Sequence, residues 1–165
     1  LPQDGDTCLY LGAGHGTSLS HIHDQVCGID NQKNGRIIAV DLSPRCLRDL
    51  VHLASLRPGL VPVLGDARKH SAWGIMVASK VDWLLQDVSQ AGQAEIFINA
   101  VKRFLKKGGK GLLSLKAASE RFNEGGEREV FQNVRDQLED AGLTIEEQID
   151  LHGLEDNHCL YFVTN

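Results

Sequence analysis

The start of the chain predicts a strand, a glycine-rich turn and a helix, in that order. The apolar run 8–11 leads into Gly12-Ala13-Gly14-His15-Gly16, and Thr17 and Ser18 then open a helical pattern. A parallel α/β sheet turns in this way from its first strand into its first helix, with a ligand lying over the main chain of the turn. Glycine suits such a turn because it tolerates positive φ and has no Cβ to hold the ligand away.

A second apolar run, Arg36–Asp41, ends in a carboxylate. In nucleotide sites of α/β sheets, an acidic residue at this position accepts hydrogen bonds from ribose hydroxyls. The glycine turn and Asp41 are each weak signals alone. Together they predict a site for an adenosine-containing cofactor.

The size and composition of the chain are typical of one globular domain. It has 165 residues, of which 42% are hydrophobic and 24% charged, so we expect a single domain over 1–165. No apolar run approaches the ~18 residues of a membrane span, and no signal peptide is visible. Because the chain enters its first strand soon after Leu1, we expect that it lacks a natural N-terminal segment.

The charge of the chain argues against a domain that binds nucleic acid unaided, since such domains carry a basic excess. The formal net charge is −5, and the local exception is 102–110, with five basic residues in nine. One interpretation of this segment is a helix C-terminus whose cations complement the helix dipole. The other is a patch that binds RNA or a partner protein.

Cysteine and histidine usage predicts neither disulfides nor a metal site. The four cysteines show no CxxC spacing and three lie in apolar contexts, so we expect buried free thiols in a reducing compartment. The one ligand-like histidine spacing is that of His21 and His23. On a helix these two side chains diverge by about 200°, so we expect no metal there.

Apolar runs alternate with helical patterns along the chain. The predicted strands are 8–11, 36–41, 60–64, 81–87 and 111–116, and the predicted helices are 17–27, a segment after the Ser43-Pro44 cap, 93–106 and 127–141. Pro62 cannot donate to a ladder, so we expect the third strand at a sheet edge. We expect Gly108-Gly109 and Gly142 to end the helices that precede them.

The end of the chain separates two classes of α/β fold. Residues 143–151 and 158–164 both have strand patterns, with the turn Glu155-Asp156-Asn157-His158 between them. Two strands without an intervening helix form an antiparallel hairpin. We therefore predict the seven-stranded Rossmann-like sheet of S-adenosylmethionine-dependent methyltransferases, mostly parallel with a C-terminal antiparallel hairpin. A dehydrogenase sheet would continue with a helix, and its turn would have the spacing GxGxxG.

Three polar residues are predicted to meet at one edge of this sheet. Asp87 ends the fourth strand and Lys116 ends the fifth, at the carboxyl edge where open α/β sheets bind ligands. We expect the last strand to run antiparallel beside the fifth, which brings its first residue, His158, to the same edge. The sequence thus predicts an active site there.

The chain resembles the methyltransferase domain of the fibrillarin family. The resemblance is carried by LYLGAGHGTSLSHIHD (9–24), GRIIAVDLSPRCLRDLV (35–51), VPVLGDARKH (61–70), VDWLLQDVSQ (81–90), LKKGGKGLLSLKA (105–117) and EDNHCLYFV (155–163). The family usually has alanine and serine at Gly14 and His15, glutamate at Asp41 and Pro-Asp at Ala91-Gly92. We expect the missing N-terminal segment to include the portion that carries a further catalytic lysine of the family.

The resemblance implies an S-adenosylmethionine-dependent RNA ribose 2′-O-methyltransferase, the catalytic subunit of a box C/D ribonucleoprotein. It implies catalysis by Asp87, Lys116 and His158. Lys116 would contact the 2′-hydroxyl, Asp87 would orient the ammonium group, and His158 would fix the ribose or relay the proton. The implied cofactor-binding residues are Gly12, Ala13, Gly14, Gly16, Thr17, Ser18, Asp41, Leu42, Asp66, Ala67, Asp87, Val88 and Gln90.

The implied partners are a C/D guide RNA with its target rRNA, a Nop-domain scaffold protein and, indirectly, a kink-turn-binding protein. The implied location is the cytoplasm of an archaeon or the nucleolus of a eukaryote. Two alternatives stay open at this point. One is a methyltransferase of the same fold that acts on a protein glutamine or a small molecule, and the other is a non-catalytic ribonucleoprotein subunit.

Overall fold

The computed structural model describes residues 1–120, 126–153 and 157–165. The strands are β1 (Thr7–Leu11), β2 (Arg36–Asp41), β3 (Leu60–Leu64), β4 (Val81–Gln86), β5 (Leu105–Lys116), β6 (Thr144–Asp150) and β7 (His158–Thr164). The helices are α1 (Thr17–Val26), α2 (Pro44–Leu56), α3 (His70–Trp73), α4 (Gln93–Phe104) and α5 (Gly126–Asp140).

All seven strands form one sheet in the order β3-β2-β1-β4-β5-β7-β6. The first five are parallel to one another, whereas β7 runs antiparallel to both β5 and β6. The predicted sheet and its C-terminal hairpin are therefore confirmed. Glu155 and Asp156, in the predicted turn of this hairpin, lie outside the described residues.

Alternate residues of the central strands pack on opposite faces of the sheet, as the pleat requires. Leu9 and Ile38 join a core with the apolar residues of α4 and α5, whereas Cys8 and Ile37 join a core with those of α1 and α2. Because helices cover both faces of the sheet, the sequences of β1 and β2 are continuous apolar runs rather than alternations of apolar and polar residues. This two-sided burial fixes the carboxyl ends of the strands, where the candidate site lies.

The predicted edge position of the third strand is confirmed, because β3 pairs with β2 alone. The predicted end of α5 is confirmed as well. Gly142 has φ 87°, and the N–H of Leu143 donates to the carbonyl of Leu138, which closes the last turn.

The boundary between α4 and β5 differs from the prediction. The helix ends at Phe104 rather than at Lys106, and Gly108-Gly109 lie inside β5 rather than at a helix end. Their main chain pairs with that of Asn165. The carbonyl of Asn165 accepts from the N–H of Gly108, and the N–H of Asn165 donates to the carbonyl of Gly109. A helix C-terminus therefore accounts only for Lys102 and Arg103 of the basic segment.

Cys8, Cys27 and Cys159 are buried free thiols, as predicted, and Cys46 is half-buried. Burial raises the pKa of Cys27 to about 11 and raises the pKa of Cys8 and Cys159 as well. Within the described ranges, no group of three or more His, Cys, Asp or Glu side chains could hold a metal ion. In the same ranges, no helix is long and apolar enough to cross a membrane.

Candidate active site

A cavity of about 410 Å³ opens at the carboxyl ends of β1, β2, β4 and β5. This volume lies within the range of small-molecule sites in proteins. The lining residues come from the ends of β2 and β5 and from the turns that follow β1, β2, β3 and β4: Gly12, Gly14, Val40, Asp41, Leu42, Gly65, Ala67, Asp87, Val88, Ser89, Gln90 and Lys116. Nine of the predicted site residues are among them, which agrees with ligand binding at this edge of an open sheet.

The glycine turn holds β1 against both of its neighbours. Gly12 has φ 78°, its N–H donates to the carbonyl of Val40, and a Cβ on it would lie 2.2 Å from the carbonyl oxygen of Asp87. Only glycine fits there without moving β4. Gly14 has φ 57°, but a Cβ on it would meet no atom of the described residues within 4 Å, because this residue faces the cavity.

The first turn of α1 presents main-chain donors beside the glycine turn. The helix begins at Thr17 after Gly16, whose φ of 91° is left-handed, and no side chain among the described residues caps it. The first N–H groups of a helix have no partner inside it and, with the helix dipole, favour an anion. Thr17 and Ser18 are exposed here, so this helix end can receive a carboxylate.

Asp41 is held in place by two main-chain N–H groups. Its Oδ2 accepts from Gly14 at 2.8 Å and its Oδ1 accepts from Ser43 at 2.8 Å. Each carboxylate oxygen has a second acceptor site, so Asp41 can still receive two hydroxyl groups from the cavity. Leu42 follows with 55% of its surface exposed and provides an apolar wall.

Asp66 follows β3, where the sequence places it, and its carboxylate is paired within the protein. Its carboxylate receives the Arg68 guanidinium on both oxygens, at 3.0 and 2.8 Å. This pairing lowers the pKa of Asp66 to about 2. Its neighbours Gly65 and Ala67 line the cavity whereas Asp66 does not, so a contact between Asp66 and a ligand stays a prediction.

Lys116 and Asp87 meet at the mouth of the cavity. Nζ of Lys116 lies 2.8 Å from Oδ1 of Asp87 and 3.2 Å from Oγ of Ser89. The side chains of Lys116 and Asp87 are 26% and 36% exposed, so a second molecule can reach the pair. Tyr10 lies on β1, the strand beside β4, and burial and the Asp87 charge raise its pKa to about 12.

His158 lies directly opposite Lys116 in the pairing of β5 with β7. Side chains of directly opposed residues in an antiparallel pair project on the same face, with Cβ atoms about 5 Å apart. The ladder thus brings His158 to the edge where Asp87 and Lys116 meet, as the sequence predicts. His158 does not line the cavity itself.

Several residues of the site were missed by sequence reasoning. Ser89 lies within the DVSQ segment that carries part of the family resemblance, and this is the signal that points to it. Gln93 and Glu120 hydrogen-bond around the end of β5, and no local pattern indicates these contacts because they join distant segments. Among the predicted cofactor residues, Ala13, Gly16, Thr17 and Ser18 lie in the turn and helix end beside the cavity rather than on its wall.

Two distantly related solved structures have this architecture. A SAM-dependent methyltransferase from Aquifex aeolicus is 17% identical, with a TM-score of 0.66 over 98% of this chain and 82% of its own. A precorrin-6y C5,15-methyltransferase from Geobacter metallireducens is 18% identical, with a TM-score of 0.68 over 99% of this chain and 83% of its own. Likeness at this level concerns the fold alone. The sheet order, the terminal hairpin and the glycine turn define the fold of the S-adenosylmethionine-dependent methyltransferases.

Closer matches identify the family. The fibrillarin family model matches residues 2–165. A fibrillarin-like rRNA/tRNA 2′-O-methyltransferase of Thermococcus sibiricus is 40% identical over 96% of the chain and 67% of its own length. The Aeropyrum pernix fibrillarin structure, described as containing natively bound S-adenosyl-L-methionine, is 34% identical, with a TM-score of 0.85 over 99% of this chain and 69% of its own. The chain belongs to the fibrillarin family.

The chain covers only part of the length of each relative. A fibrillarin-like rRNA/tRNA 2′-O-methyltransferase of Methanocaldococcus jannaschii is 36% identical over 93% of this chain but only 63% of its own length. The chain thus spans about two thirds of the length of the relatives it matches.

Proposed function

We propose that this chain is the catalytic domain of an S-adenosylmethionine-dependent RNA ribose 2′-O-methyltransferase. The observation that carries the proposal is the Lys116–Asp87 ion pair at the mouth of a cavity with a second, separate carboxylate, Asp41. The Asp41 carboxylate is suited to bind the ribose of the cofactor. The Asp87 carboxylate is suited to orient Lys116, which faces the hydroxyl that accepts the methyl group. Family membership supports the same assignment, since the relatives are rRNA/tRNA 2′-O-methyltransferases.

The chain's residues fit the cofactor. Asp41 keeps two acceptor sites for the ribose hydroxyls, and the first turn of α1, at Thr17 and Ser18, suits the methionine carboxylate. Leu42 and Ala67 provide apolar surface for the adenine, and Val88 and Gln90 enclose the methionine part. When bound, S-adenosylmethionine supplies an electrophilic methyl group.

Lys116 is the residue that acts on the ribose hydroxyl that accepts the methyl group. A ribose hydroxyl is a weak nucleophile at neutral pH, so the enzyme must position its oxygen and stabilise the charge that develops on it. Nζ of Lys116 can contact the hydroxyl and stabilise the alkoxide or accept the proton. Asp87 keeps the ammonium group oriented, and His158, across the β5–β7 ladder, helps fix the ribose or relays the proton.

RNA recognition is proposed to come from partners. The chain carries a net charge of −5, which is unfavourable for binding RNA unaided. One related structure is a fibrillarin/Nop5p complex, 30% identical with a TM-score of 0.85 over 98% of this chain and 73% of its own. We propose a Nop-domain scaffold, a C/D guide RNA with target rRNA, and a kink-turn-binding protein in the same particle. In an archaeal cell this particle would be cytoplasmic.

The test is methyl transfer in the reconstituted particle. The chain is assembled with scaffold, kink-turn-binding protein and guide RNA, and methyl-labelled S-adenosylmethionine is added with a guided target. We expect label at the 2′-oxygen of one nucleotide, none on a target with 2′-deoxyribose there, and almost none with the isolated chain. No transfer by an assembled particle that binds the cofactor would favour the non-catalytic alternative. Label on the 2′-deoxy target would contradict ribose specificity.

A further inference from the structure

The end of β5 extends beyond its parallel neighbour. The pairing of β4 with β5 ends where Gln86 lies opposite Leu113, but β5 continues to Lys116. On the other side, Lys116 is paired with His158 of β7. Within the part of the chain that the structure describes, the segment that carries the candidate catalytic lysine therefore has no strand beside it on the β4 side.

The side chain of Gln93 takes the place of that missing strand. Its Oε1 accepts from the N–H of Lys116 at 2.9 Å, and its Nε2 donates to the carbonyl of Lys116 at 2.9 Å. One carboxamide thus satisfies both main-chain groups of one residue, as a neighbouring strand would. The N–H and carbonyl of Lys116 point toward Gln93. The N–H of the next residue, Ala117, therefore faces the opposite side and donates to the carbonyl of Asn157, the residue before β7.

Gln93 is itself fixed on several sides. It is fully buried at the start of α4, and its carbonyl accepts from Nε2 of Gln86 at 2.8 Å. Glu120 accepts from the N–H groups of Gly92 and Gln93 at 3.0 and 2.9 Å, and from Nε2 of Gln93 at 2.9 Å. A carboxylate at a helix N-terminus is favoured by the helix dipole. The amide therefore has one defined orientation.

We propose that Gln93 is a positioning residue for Lys116, an inference that rests on the proposed function. The amide holds the main chain at the strand end, so that Nζ of Lys116 stays between Asp87 and Ser89 at the cavity. Gln93 does not line the cavity, so it acts through Lys116 and contacts neither ligand. Displacement of a reacting group by about 1 Å can slow a reaction by about 100-fold.

The position requires a group that donates and accepts at the same time. Methionine has a similar shape but offers no donor and only a weakly accepting sulfur, which leaves the carbonyl of Lys116 unpaired and its N–H without a strong acceptor. Glutamate accepts from the Lys116 N–H, but its charge faces the Lys116 carbonyl and the Glu120 carboxylate. Protonation of that glutamate restores one donor, so low pH should partly restore its function.

The experiment compares Gln93→Met and Gln93→Glu with Tyr161→Phe. The last substitution removes a buried bond from the Tyr161 hydroxyl to the carbonyl of Phe131 and serves as the stability control. In the reconstituted particle at saturating S-adenosylmethionine, we expect Gln93→Met to slow single-turnover methyl transfer about 10- to 100-fold. We expect its Kd for the cofactor to stay within about twofold, and Tyr161→Phe to transfer at nearly the wild-type rate.

The pH profile separates positioning from general destabilisation. The transfer rate of Gln93→Glu, divided by the wild-type rate at the same pH, should rise as the pH falls toward 5. A flat ratio near one, or an equal loss of rate in Tyr161→Phe, would overturn the proposal. A loss in Gln93→Met that lies wholly in the cofactor Kd would overturn it too.

Amide hydrogen exchange tests the positioning role of Gln93 without a measurement of methyl transfer. Measured by NMR on the folded domain, exchange of the Lys116 N–H should accelerate at least tenfold in Gln93→Met, with little change at Leu113, which pairs with β4. Unchanged protection at Lys116 would refute the positioning role. If the wild-type particle transfers no methyl group, the proposed function fails, and this exchange measurement still tests the contact.

Discussion

Nζ of Lys116 lies 2.8 Å from Oδ1 of Asp87, and this ion pair joins the carboxyl end of β5 to the residue that follows β4. Both side chains are partly exposed. Pairs of this kind contribute about 0–1 kcal/mol to stability, because solvent screens them and ordering two side chains costs entropy. The pair therefore has little structural value, and its effect should be on the chemistry at the cavity.

Lys116→Ala should reduce methyl transfer in the reconstituted particle by about 100-fold or more, because the acceptor hydroxyl loses its cation or base. Cofactor affinity should not weaken, since removal of an ammonium group does not disfavour a cationic sulfonium. Lys110→Ala is the matched control, because Lys110 also lies on β5 and pairs with Glu146 at the surface. A Lys116→Ala variant that transfers at the Lys110→Ala rate would refute the catalytic assignment.

Gly12→Ala and Gly14→Ala should differ in stability although both residues have positive φ. A Cβ on Gly12 collides with the main chain of Asp87, so we expect a loss of about 3 kcal/mol or more in the free energy of unfolding. A Cβ on Gly14 meets no atom of the described part of the chain within 4 Å, so we expect about 1 kcal/mol from the backbone alone. Urea unfolding measures both, and equal losses would contradict the described turn.

Asp66 should make stability depend on pH at the acidic end. Arg68 holds the pKa of Asp66 near 2, below its ordinary 3.8, so the pair stabilises the folded state above about pH 4. This contribution is lost as the pH falls from about 4 toward 2. Because Arg68 is 55% exposed, we expect only about 1 kcal/mol between wild type and Asp66→Asn at neutral pH.

Urea titrations of both proteins from neutral to acidic pH would measure this difference. It should shrink on acidification and also in high salt, which screens a partly exposed pair. A difference that is the same at every pH and salt concentration would show that the Asp66–Arg68 pair does not form in solution.

Elements with one local signal were predictable from the sequence. The glycine turn, the Pro62 edge and the terminal hairpin each follow from backbone rules that neighbouring residues carry. The start of β5 was not predictable, because a Lys-Lys-Gly-Gly run is also typical of a helix end. The pairing of Gly108 and Gly109 with Asn165, at the opposite end of the chain, decides that segment.

The same distinction holds for the site. Asp41, Asp87 and Lys116 could be predicted because strand ends in a parallel sheet converge at one edge. The state of Asp66 could not, because a carboxylate two residues before an arginine can face either that arginine or a ligand. The contacts of Gln93 and Glu120 with the end of β5 depend on tertiary packing, and no periodicity reports them.

Calorimetric titration of the folded domain with S-adenosylmethionine tests the central claim most directly. We expect one site with a micromolar Kd. Asp41→Ala should weaken the Kd at least tenfold, because it removes the ribose acceptor and releases the Gly14 N–H. Asp24→Ala, which removes a surface partner of Arg57, should leave it unchanged. No binding by a folded domain, or binding that Asp41→Ala does not affect, would contradict the assignment of the cavity as the cofactor site.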